Sequence, residues 1–243
     1  MFNLLISLAA GVAIALAIRL GTSFGWAGAV VPGAIAVAGL YLVLARRTWK
    51  QLEGVFEETQ RELQTQRFEK ALQVLQAGFR LAPWQFLVAS QLHAQIGVLR
   101  YVRKEFDEAL PHLQKSFSRH WLARAMLGAL LWRRKDLAGM ERTFLEAEKN
   151  NKKEGLVWCT HAWLLDKEGR HEEAVKVLGK GAAQNPSDEK LKSALQALQN
   201  DKKLKLGKLY GEQWFQFHLE AVPPQMFGGG LPRGARRAIY GKR

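Results

Sequence analysis

The chain is poor in the residues that most often carry chemistry. It has one cysteine, Cys159, so it can hold no intrachain disulfide framework, and a reducing compartment suits it. Cys159 and His161 stand two residues apart, a spacing that sends side chains to different sides of a helix. A Cys/His nucleophile pair is therefore disfavoured, and a buried, inert thiol is expected. The six histidines (His93, His112, His120, His161, His171 and His218) belong to no HExxH or CxxC-type metal arrangement. Gly228-Gly229-Gly230 lacks the Lys-Ser/Thr that would follow the last glycine of a phosphate-binding loop. No enzymatic activity, metal or cofactor is expected.

Charge is almost missing from the first 45 residues, where Arg19 is the only charged side chain. Phe2 to Ile18 is an uncharged run of 17 residues and Phe24 to Ala45 one of 22. A helix needs about 20 apolar residues to cross a hydrocarbon core of about 30 Å. A signal peptide is disfavoured, because no Lys or Arg precedes the first run and no small-residue cleavage site follows it. Only Leu20 to Ser23 separates the runs, so a transmembrane hairpin is expected over 1–47, with helices at 2–20 and 24–45. Arg46, Arg47 and Lys50 follow the second run at once, and a basic flank of that kind is retained on the cytoplasmic side. Neither run contains Asp, Glu, Lys or His, which argues against a transporter or channel. Small residues recur every fourth position, at Ala9, Ala13 and Ala17 and at Gly25, Ala29 and Gly33, a spacing that allows close helix approach. Pro32 is expected to kink the second helix.

The third absence is strand-like alternation. From Thr48 onward the apolar positions follow helical periodicity, as in Leu52, Val55, Phe56, Leu63 and Phe68, with no break after the second apolar run. The chain reads as all-α. Four octets align: Phe68 to Leu75, Phe106 to Leu113, Leu137 to Phe144 and His171 to Leu178. Their fourth residues, Ala71, Ala109, Met140 and Ala174, are spaced by 38, 31 and 34. The last spacing is the tetratricopeptide (TPR) period.

The segment Gly155 to Asp188 carries Trp158, Ala162, Leu165, Gly169, Ala174, Leu178, Gly181 and Pro186 at or near the positions that mark that family. Leu52 to Pro186 thus resembles the TPR family, and the whole layout resembles membrane-anchored bacterial proteins of the HemY type, which also place a transmembrane hairpin before TPRs. The resemblance implies an α-solenoid over 48–200, with a protein-binding groove lined by the first helix of each repeat. Here that groove would present Val98, Tyr101, Ala125, Ala129, Trp132, Cys159, Trp163 and Asp166. It lacks the Lys, Arg and Asn set used to clamp an acidic chaperone tail, so a partner with apolar anchors is implied.

The formal net charge is +14, and the excess collects at the end: Lys202 to Arg243 holds 9 basic and 2 acidic residues. Residues 201–221 are expected to form a capping helix and 222–243 a flexible basic tail. Arg233, Arg236 and Arg237, together with Arg46, Arg47 and Lys50, are candidates for contact with anionic lipid. Two functions compete. The first is a scaffold for protein partners, held at the cytoplasmic face of what is expected to be a bacterial inner membrane. The second is a membrane-tethered nucleic-acid or ribosome-associated protein acting through the basic tail, which ranks lower because the lipid contact needs no further partner.

Overall fold

The structure, a computed structural model, describes residues 1–22 and 25–223. Every regular element among those residues is helical, in agreement with the all-α expectation. The chain divides into two units, Met1–Leu127 and Gly128–Arg243. The first holds α1 (Phe2–Gly21), α2 (Trp26–Gln64), α3 (Phe68–Ala77), a 3-10 turn at Gly78–Leu81, α4 (Val88–Val102) and α5 (Phe106–Gln114). The division falls inside α6 (Trp121–Arg133). The second unit continues with α7 (Leu137–Asn150), α8 (Gly155–Lys167), α9 (His171–Gln184), α10 (Glu189–Gln199), α11 (Leu206–Tyr210) and α12 (Glu212–Phe215).

Both apolar runs become helices long enough to span a membrane. The second does not stop at the basic cluster. It continues as one helix of 39 residues, about 58 Å long at 1.5 Å per residue, through Gly54 and with Pro32 inside it. Ser23, Phe24 and residues 224–243, including Gly228 to Gly230, Arg233, Arg236 and Arg237, lie outside the described residues.

The two long helices run antiparallel and meet at glycine. A Cβ on Gly11 would stand 2.1 Å from Val37 Cγ2 and 2.8 Å from the Gly33 carbonyl oxygen, and a Cβ on Gly33 would stand 2.8 Å from the Gly11 oxygen. Ala29 and Gly33 are buried as the spacing predicts, but Gly25, the first residue of that stripe, is exposed. On α1, however, Ala9, Ala13 and Ala17 are exposed, and the packed stripe is Asn3, Ser7 and Gly11. Polarity decides the rotation at Asn3, whose Nδ2 donates to Thr48 Oγ1 on α2 at 2.9 Å, while Ser7 Oγ is satisfied within α1 by donating to the Asn3 carbonyl at 2.7 Å. Alanine demands no such partner.

The four aligned octets begin four helices, α3, α5, α7 and α9, each at its first residue. Their fourth residues, Ala71, Ala109, Met140 and Ala174, have no exposed surface. Two residues before each helix the backbone turns left-handed, at Gln66 (φ 57), Lys104 (φ 66), Lys135 (φ 65) and Gly169 (φ 78). The following amide then donates to a carbonyl five residues back, Arg67 to Glu62, Glu105 to Arg100, Asp136 to Leu131 and Arg170 to Leu165, at 2.8 to 3.0 Å. This is a Schellman closure of the preceding helix, repeated four times. The small position of the first helix faces the octet's last residue. A Cβ on Gly97 would meet Leu113 at 2.8 Å, and one on Gly128 would meet Phe144 at 2.3 Å.

In the first unit the core of this arrangement is Leu52, Ala71, Leu72, Leu75, Leu81, Val88, Leu92, Ile96 and Leu99, so the far end of α2 is itself the first helix of the repeat. In the second, Asp136 caps α7 by accepting from the Gly139 amide at 2.8 Å, and Asp188 caps α10 by accepting from Lys190 and Leu191. Residues 201–221 do not form the single capping helix expected. Gly211, at φ 58, breaks them into the two short turns α11 and α12.

Candidate functional site

The positions implied to line a groove differ sharply in exposure. In the first unit Val98 is half-buried, whereas Tyr101 and Ala125 are buried outright. Tyr101 packs edge-on against Phe106, ring centroids 5.1 Å apart, at the turn between α4 and α5. It is a core residue.

In the second unit Ala129, Cys159 and Trp163 are buried, while Trp132 and Asp166 are half-buried. Trp132 and Trp163 come together from α6 and α8 with ring centroids 6.1 Å apart, edge to face. A third tryptophan completes the cluster: Trp214 of α12 lies 5.3 Å from Trp163, with Phe217 beside it. Trp214 and Phe217 are at most 1% exposed. The polar handle of each outer indole is held, Trp132 Nε1 by Glu168 at 2.7 Å and Trp214 Nε1 by Glu220 at 2.7 Å. Lys135 and Lys167 sit over the rings of Trp132 and Trp163.

Tyr210 of α11 reaches the other end of the same helix face, its hydroxyl 3.5 Å from Cys159 Sγ. The residues after the last repeat therefore cover the aromatic face of α8 and leave Trp132 at its edge. Sequence reasoning singled out Trp163 and expected a capping element after the last repeat, but did not pair the two. Trp214 and Tyr210 were visible as the aromatic residues of that expected cap, and the signal missed was that they would close over Trp163 and Cys159 in particular.

The comparisons leave the family open. No family model and no curated protein matches the chain. Among solved structures, the chain is similar to the MamA RS-1 ArsTM double mutant, with 16% identity, a TM-score of 0.46, and coverage of 69% of this chain and 92% of that one. Likeness at that level does not by itself assign a fold, which here rests on the helices described above.

Chemistry elsewhere in the described residues is spent inside the protein. Burial pushes the Cys159 thiol up to about 12. His93 and His112, on α4 and α5, face each other with Nδ1 atoms 3.0 Å apart. Burial, then the neighbouring His93, Arg100 and Lys115, holds His112 down at about 4, and burial followed by Lys115 lowers His93. Asp166 accepts from His171 at 2.9 Å, and that hydrogen bond raises the His171 pKa. Glu148 and His161 form a buried pair at 2.5 Å, with His161 stacked on Phe144. No group of three or more His, Cys, Asp or Glu that could hold a metal ion occurs among the described residues. Arg46, Arg47 and Lys50 are all exposed on α2.

Proposed function

We propose that the chain is a membrane-anchored, TPR-type scaffold that gathers protein partners at the cytoplasmic face of a bacterial inner membrane. The observation that carries this reading is α2 itself: one unbroken helix whose first part exposes Val30, Val31, Ile35, Leu42 and Val43, and whose last part is core of the first repeat. Apolar side chains 53 to 68% exposed, as these are, need a non-aqueous environment, and α1 presents the same kind of face through Leu5 and Val12. The fourfold Schellman turn and the buried small positions support the repeat reading, because they recur with the octets.

Partner contact falls to the accessible members of the implied groove, Val98 on one unit and Trp132 with Asp166 on the other, supported from beneath by Tyr101, Ala125, Ala129 and Trp163. A half-buried tryptophan offers large area at low entropic cost, the usual property of a binding hot spot. The full chain in its membrane, used as bait, tests this. Trp132→Ala should weaken capture of its partners by about 2 kcal/mol or more on the hot-spot scale. Equal capture by wild type, Trp132→Ala and Val98→Asp would remove these faces from the function.

A further inference from the structure

The start of α1, the basic turn of α2 and the loop Ala82 to Leu87 meet at one junction. The Phe2 amide donates to the Pro83 carbonyl at 2.9 Å and the Asn3 amide to the Trp84 carbonyl at 3.2 Å, so the loop takes up donors that a helix start leaves free. Behind them lies a polar network: Asn3 Nδ2 donates to Thr48 Oγ1 and, at 3.3 Å, to Gln85 Oε1, and Gln85 Nε2 donates to Tyr41 Oη at 2.7 Å. Asn3, Thr48 and Gln85 are all buried. The loop is thereby pinned at the level on α1 and α2 where the apolar faces end.

At that level the loop turns aromatic residues outward. Trp84 and Phe86 are 41% and 47% exposed, and Trp84 packs edge-on against Phe2 at the head of the apolar face of α1. Leu87 takes a left-handed backbone (φ 68), a conformation a branched side chain adopts only under constraint from its surroundings. Next to Trp84 opens a cavity of about 290 Å³ lined by Asn3, Leu44, Arg47, Thr48, Gln51 and Trp84. Asn3 and Thr48 have spent their donors on each other and on Leu44, which leaves the Arg47 guanidinium and the Gln51 amide to meet a ligand. Trp84 is apolar on its ring and polar at Nε1, the combination that settles at a membrane–water interface.

We propose that this cavity seats the phosphate of an anionic phospholipid, held by Arg47 and Gln51, with Trp84 and Phe86 lying in the interfacial layer beside it. The proposal rests on the membrane reading above. Arg47 matches phosphate because its planar guanidinium donates in pairs. Arg46 is the comparison within the same helix turn: it is also exposed and carries the same charge, but it does not line the cavity.

The test uses the full chain in nanodiscs of mixed phosphatidylglycerol and phosphatidylcholine, with retained lipid counted by native mass spectrometry. Arg47→Gln should lower phosphatidylglycerol retention roughly tenfold or more, the scale of one charge-assisted hydrogen bond, while Arg46→Gln, which removes only diffuse attraction to the surface, lowers it far less. Equal losses from the two variants, or no loss from Arg47→Gln, would overturn the site in favour of diffuse attraction. Displacement of the lipid by millimolar inorganic phosphate would also overturn it, as a free-anion site. A nitroxide attached through Leu5→Cys in a Cys159→Ser background separates this from the membrane reading. If that label is exposed to water in the nanodisc, the hairpin itself is not inserted.

Discussion

Removing the Trp163 ring by Trp163→Ala should unfold the second unit far more readily, and the size of the effect follows from its surroundings. The side chain is 4% exposed, with Trp132 on one side and Trp214 on the other. A buried tryptophan removes about 150 to 250 Å² from water. At about 25 cal/mol per Å² that corresponds to about 4 to 6 kcal/mol, an upper bound because the unfolded chain already hides some surface. Measured truncations of buried aromatics fall at about 3 to 5 kcal/mol, so about 4 kcal/mol is expected. Trp132→Ala, at a half-buried site, should cost about half of that.

Urea titration of the full chain in mild detergent, followed by far-ultraviolet circular dichroism, reads the difference. With a slope of about 2 kcal/mol per molar, Trp163→Ala should move the midpoint down by about 2 M. A double-mutant cycle with Trp214→Ala should give a coupling of about 1 kcal/mol, the worth of an aromatic pair beyond its area. A Trp163→Ala midpoint within experimental error of wild type would refute the burial argument, because it would mean that the 204–220 segment does not cover α8. Trp163 would then return to the set of accessible groove residues.

Three further outcomes follow from particular contacts. Gly33→Val should separate α1 from α2, since even a Cβ would stand 2.8 Å from the Gly11 carbonyl, whereas Gly39→Val meets open space and should be silent; helix-pair association in detergent, read by disulfide cross-linking of engineered cysteines, distinguishes the two. Lys135→Gly should stabilise the chain by about 0.5 to 1 kcal/mol, because a non-glycine residue at φ 65 pays a left-handed penalty, while Gly169→Ala, at φ 78, should destabilise it by about 1 kcal/mol in the same thermal melts. His112 is held at about 4, below its unfolded value of 6.5, so its contribution is fully present above about pH 6.5 and is lost as pH falls toward 4; melting temperatures across pH 4 to 7 should fall less steeply in His112→Gln than in wild type.

The helical order of the chain was legible because it is written in short-range signals. The octets locate the starts of α3, α5, α7 and α9 because the same buried position recurs in each, and even the Met140 replacement keeps it apolar and fully buried. The unbroken α2 was legible from the absence of any breaker after the basic cluster. Orientation was harder to read. An alanine spacing on α1 looked like the packing stripe, but Asn3 needed a hydrogen-bond partner, found it in Thr48 of α2, and so turned the helix. The groove was misjudged at Tyr101 and Trp163 for a related reason. Position within a repeat tells which side a residue faces, while its accessibility depends on residues from elsewhere, here Phe106 and Trp214. The junction of Pro83 to Gln85 with Phe2 and Asn3 spans about 80 residues of chain and left no local mark.

The central claim, a hairpin that holds the repeat domain at the cytoplasmic face, is tested most directly by reporter fusions placed after Arg47 and after Arg243 in the full membrane. With two crossings and the Arg46, Arg47 and Lys50 flank inside, both fusions should report cytoplasm. A periplasmic signal from either fusion would contradict the hairpin, by leaving a single crossing or by reversing it, and would move the repeat domain to the other side of the membrane.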